Sequence, residues 1–133
     1  MAVYEYTTIN TSPTIKAESG GELGDVRGKA VKFVDGKVQL PGAGEVPIGI
    51  VLLSEVENVK TGDTVTIQVK DIGKWKAGAT VGAGDLLTAD AEGLCQKATE
   101  GQYILARALS AATAKNDLVT IQIINAGYLK AGA

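Results

Sequence analysis

Apolar and polar positions alternate with a period of two along Asp63-Thr-Val-Thr-Ile-Gln-Val69, and the chain repeats this stretch as Asp117-Leu-Val-Thr-Ile-Gln-Ile123. Five of the seven positions are identical. In the first copy Val65, Ile67 and Val69 share one face, with Thr64, Thr66 and Gln68 opposite. That is the pattern of a strand with one buried face. A repeated closing strand implies a repeated module.

The other apolar stretches fall into place around these two strands. Ala30-Val-Lys-Phe-Val34 predicts a strand, Asp35-Gly36 a two-residue hairpin turn, and Lys37-Val-Gln-Leu40 the return strand. Pro47-Ile-Gly-Ile-Val-Leu-Leu53 is apolar almost throughout and reads as a buried strand. In the second half, Gly84–Thr88 lines up with Gly28–Lys32, and Ile104–Ser110 with Ile48–Ser54, both at a spacing of 56 residues (84 − 28 and 104 − 48). Glu92-Gly93 takes the turn position, and Leu94-Cys-Gln-Lys97 is the matching return strand. The alanine-rich link Ala111–Asn116 has the composition of a short helical turn.

The pattern divides the chain. Residues 1–24 are polar and glycine-rich and read as a flexible N-terminal arm; residues 25–133 read as a single β domain. Within it lie module one (25–73), a glycine-rich bridge (74–83), module two (84–127) and a short tail (128–133). The expected fold is all-β: a compact barrel or sandwich of two hairpin-containing modules with at most a short helix. Neither module is large enough to bury a core alone, so the two should pack together.

Composition narrows the function. The 133 residues make one domain by size. Aromatics are only 5% of the chain, so the core must come from Val, Ile, Leu and Ala. A net charge of −2 argues against nucleic-acid binding. The N-terminus lacks the basic and apolar regions of a signal peptide, and no apolar run reaches a membrane span.

Candidate chemistry is sparse. The sequence has no histidine, which removes the commonest general base and most zinc sites. The single cysteine, Cys95, has no basic neighbour in sequence and reads as a structural thiol. The glycines of 78–84 lack the Gly-Lys-Ser/Thr of a phosphate loop. No catalytic residue, cofactor or metal is expected. Two features suggest contact with other proteins. The arm carries Val3, Tyr4, Tyr6, Ile9 and Ile15, apolar residues suited to ordering on a partner. Trp75, the only tryptophan, reads either as a lid over the β core or as an oligomer-interface anchor. Lys60, Lys70, Lys74 and Lys76 read as a solvated face or a basic patch.

The run Ala-Gly-Asp-Leu-Leu-Thr88, Asp90-Ala-Glu-Gly93, Ile104-Leu-Ala-Arg-Ala-Leu109 and Asp117-Leu-Val-Thr-Ile-Gln-Ile123 resembles the capsid decoration, or cement, proteins of tailed bacteriophages. The likeness is closest over residues 83–123. It implies a virion protein, made in the bacterial cytoplasm, on the outer surface of an expanded head. It also implies a homotrimer bound to the major capsid protein and stabilising the shell against packed DNA, while the charge and the short apolar runs leave no nucleic-acid or membrane partner expected. The arm then holds the place of the capsid contact. The competing expectations are another virion part, such as a head-fibre base or tail-tube protein, and a small β-barrel ligand-binding protein.

Overall fold

The computed structural model describes residues 10–131. Ten strands follow one another: β1 (Thr14–Glu18), β2 (Ala30–Val34), β3 (Lys37–Gln39), β4 (Gly49–Ser54), β5 (Thr64–Gln68), β6 (Asp71–Lys76), β7 (Leu86–Ala89), β8 (Cys95–Lys97), β9 (Tyr103–Ala108) and β10 (Leu118–Tyr128). They form two antiparallel five-stranded sheets, ordered β1-β5-β4-β2-β3 and β6-β10-β9-β7-β8. The second order is the first shifted by five strands. The duplication therefore covers all ten strands, and no helix occurs among the described residues.

The repeat extends to the loops. Ser19 bridges Val38 in parallel, and Ala77 bridges Cys95 in the same way. Asp63 Oδ2 accepts the Lys60 N–H, and Asp117 Oδ2 accepts that of Ala114. The Asp117 turn stands where a helical turn was expected at Ala111–Asn116. The first hairpin fits its sequence signal: Asp35 (φ 52°) and Gly36 (φ 80°) supply the two positive φ values of a type I′ turn. The second hairpin is one residue longer, because Asp90 pairs with Leu94 across three residues where Val34 pairs with Lys37 across two. The register shifts accordingly. Gly49 pairs with Val31 as Ala106 pairs with Leu87. Gly49 thus corresponds to Ala106, one residue beyond the match inferred from sequence.

Two boundaries are corrected. The arm does not extend to residue 24. β1 pairs along β5 from Thr14↔Gln68 to Glu18↔Thr64, and Ser19 and Leu23 are buried. Nor do residues 74–83 form only a bridge, since Lys74, Trp75 and Lys76 lie in β6, paired with β10. Both are edge strands: β1 lies far in sequence from its partner β5, and β6 is itself weakly patterned.

Each sheet covers its own apolar cluster. In the first lobe Val26, Val31, Val38, Val51, Val65 and Ile67 pack together. In the second, Trp75, Leu87, Leu105, Val119 and Ile121 are joined by Ala30 and Ile50 from the first. Trp75 opposes Val119 as Ala17 opposes Val65, so one repeat fills with an indole the place that the other leaves to a methyl. The lobes are also tied by backbone bonds. Ala30 N–H donates to the Gly93 carbonyl (2.7 Å), Lys76 N–H to Gly28 (2.8 Å) and Gly44 N–H to Ala89 (2.9 Å). Gly93 has φ 79°, and a Cβ there would sit 2.6 Å from the Ala30 carbonyl oxygen. Only glycine fits that seam without moving backbone.

Thr88 in β7 is wholly buried, and its Oγ1 has no hydrogen-bond partner among the described residues. A buried hydroxyl without a partner costs about 1–3 kcal/mol. Thr88→Val keeps the branched shape and removes that cost. We expect urea unfolding to show a gain of about 1 kcal/mol with an unchanged slope. A loss of stability would show that the hydroxyl is satisfied in solution.

Candidate interaction surface

The described residues offer little to a reaction. They contain no group of three or more His, Cys, Asp or Glu side chains arranged to hold a metal. Cys95 lies wholly inside, and burial pushes its thiol up to about 12. A thiol so protonated is a poor nucleophile at neutral pH. Asp25 is held well below the usual carboxylate range by hydrogen bonds from Arg27, whose Nε and Nη2 donate to its two oxygens at 2.8 and 2.6 Å. This exposed bidentate pair belongs to the loop before β2, and it fixes the loop rather than activating an acid.

The outer surface carries more information. Leu53 is 64% exposed, Ile72 61% and Leu118 56%. Leu52 and Leu53 correct the expectation of a buried strand through residue 53. The β4–β5 register shifts between Val51 and Leu53. Such a bulge leaves one residue unpaired and re-aims its neighbours. Here it brings two successive leucines to the surface.

Two grooves flank the bulge. One lies on the first sheet between Lys16, Leu53, Glu55 and Thr66. The other follows the seam between the lobes, with a volume of about 320 Å³. Gly28, Val51 and Leu52 form its first-lobe wall, and Lys74, Lys76 and Leu118 the opposite one, with Arg27 at its rim. Lys74, Lys76 and Leu118 meet because β6 and β10 pair Lys76 with Leu118 and Lys74 with Thr120. Arg27 is offset by Asp25 and, at 3.8 Å, by Glu57. Neither Lys74 nor Lys76 has a carboxylate within 4.0 Å among the described residues. Lys74 Nζ instead donates to Thr120 Oγ1.

The residues singled out in the sequence separate. Val3, Tyr4, Tyr6 and Ile9 lie outside the described residues. Ile15 sits in β1, half-buried opposite Ile67, and packs on the first core. Trp75 is 0% exposed, and its Nε1–H donates to the Gly93 carbonyl at 2.8 Å. It offers no surface to a partner, so the core reading replaces the interface reading. Lys74 and Lys76 come together in the seam groove, which Lys60 and Lys70 do not line. The groove itself was not legible, because it needs the β4 bulge and the edge position of β6 at once.

Comparison with known proteins gives two results. The model of a family described as phage cement protein matches residues 6–123. The crystal structure of the head fiber gp8.5 N base of bacteriophage phi29 superimposes with a TM-score of 0.64 at 18% identity, covering 88% of this chain and 97% of that one. At that identity the likeness is one of fold. No curated protein matches the chain in sequence.

Proposed function

Because the chain belongs to the phage cement protein family, we propose that it binds the outer surface of an expanded bacteriophage head and stabilises it against the packed DNA. The observation that carries this reading is the family match, which spans both repeats. In this reading the partner is the major capsid protein and the working unit is a homotrimer. The role is structural rather than catalytic.

The physics supports the assignment. A clamp gains from repeated weak contacts, because tethered sites bind with an effective concentration far above that of one site alone. The N-terminal segment around Val3, Tyr4, Tyr6 and Ile9 supplies apolar contact area to the shell. Ordering it costs roughly 1–2 kcal/mol per residue, so it must pair or be buried where it lands. The exposed Leu52, Leu53 and Leu118 add a rigid apolar surface. The fold likeness to a head-fibre base favours a second reading, in which the domain seats a fibre on the head.

The test uses DNA-filled heads stripped of their surface proteins. Adding back this protein should raise the temperature at which DNA is released, in proportion to occupancy. Saturated heads that release DNA at the unsaturated temperature would contradict stabilisation and favour the fibre-base reading.

A further inference from the structure

Among the described residues β6 lies at the edge of the second sheet, paired with β10 on one side. Antiparallel residues point their N–H and C=O groups alternately toward and away from the partner. The Lys76 N–H points away from β10, since it donates to the Gly28 carbonyl. Lys74 and Ile72 therefore also turn their backbone groups outward. Among the described residues neither makes a backbone bond on that side. Both residues are exposed, and Lys74 lines the seam groove. Among the described residues the edge is thus open at Ile72 and Lys74, with the exposed Leu52 on the facing wall and two ammonium groups that have no carboxylate within 4.0 Å.

We propose that this groove takes an extended protein segment with acidic side chains at alternate positions, which adds as a sixth strand to the free edge of β6. The backbone of the segment pairs with Ile72 and Lys74. One acidic position faces Lys74 as its cross-strand neighbour, another reaches the Lys76 ammonium, whose outward N–H already holds the Gly28 carbonyl, and an apolar position meets the exposed Leu52. Charge selects the occupant. Lysines on an edge reject a second copy of the same edge, because like charges would lie opposite one another. They accept an acidic strand for the same reason. The inference concerns the chemistry of the segment and does not depend on the capsid reading.

The probe is a short fluorescein-labelled peptide of alternating glutamate and valine, titrated into the full chain and followed by anisotropy. We expect saturable binding that weakens with added salt and is reduced about tenfold or more by Lys74→Glu with Lys76→Glu. Circular dichroism of the double variant should match the parent. A peptide N-methylated at alternate amides keeps its charge but cannot complete the ladder, and it should fail to bind. Equal binding by the methylated peptide would reduce the groove to a charged surface and overturn strand addition. So would an absence of binding by the unmodified peptide, or unweakened binding by the double variant with its fold intact. Oligomers of the parent chain that disperse in the double variant would make a second copy the occupant, and would also overturn it.

Discussion

Trp75→Ala is expected to remove about 3–5 kcal/mol of stability, the usual cost of emptying a buried aromatic site. The side chain is wholly enclosed, opposes Val119 across β6 and β10, and touches the seam through the Gly93 carbonyl. Its loss leaves a void that the surrounding Leu, Val and Ala side chains cannot close without moving two sheets. Since domains of this size are stable by about 5–15 kcal/mol, the variant should be marginal. Trp75→Phe separates the two contributions. It retains most of the apolar volume and removes the indole N–H, and should cost less than alanine. Chemical unfolding followed by circular dichroism measures both. A loss below about 1 kcal/mol for alanine would show that the indole is not packed as described, and would reopen its reading as an interface anchor.

The second large effect concerns the N-terminus, and here two truncations should behave differently. Deleting residues 2–12 removes Val3, Tyr4, Tyr6 and Ile9 but spares β1. The melting temperature should stay within a few degrees of the parent, and binding to heads should fall by about tenfold or more if the proposed trimer presents one such contact per protomer. Deleting residues 2–17 also removes most of β1, exposes the edge of β5 and strips Ile15 and Ala17 from the first core. That variant should lose stability as well. Burying an Ile side chain fully is worth about 1.5–3 kcal/mol, and Ile15 is half-buried, so about half of that comes from it alone. Full head binding by the 2–12 deletion would move the capsid contact away from the arm and onto the folded surface.

The sequence revealed the strands whose signals are local. The repeated stretches at Thr64 and Leu118 alternate cleanly, and Asp35-Gly36 specifies its turn by backbone conformation alone. The all-β fold and its internal duplication followed from these. What stayed hidden was non-local. β1 carries the alternation of Thr14-Ile-Lys-Ala-Glu18, yet it sits between a polar run and Gly20-Gly21, and its partner β5 lies far along the chain. β6 was masked by its own sequence, since Ile72 stands on the outward face and Gly73 on the inward one, which confines the alternation to Lys74-Trp-Lys76. The exposure of Leu52 and Leu53 depends on a bulge, which inverts the face of successive residues without changing the residue types. The seam groove combines both hidden features. The lysines that line it were visible only as an unplaced cluster.

Co-sedimentation of the purified chain with stripped heads, compact and expanded, would decide whether it acts as a cement protein. Saturable binding to expanded heads and none to compact ones is expected if expansion makes the proposed landing surface. Saturation at one copy number per repeating position of the shell would accompany it. Binding to neither form would contradict a cement function and leave only the fold. Equal binding to both would contradict a site made by expansion.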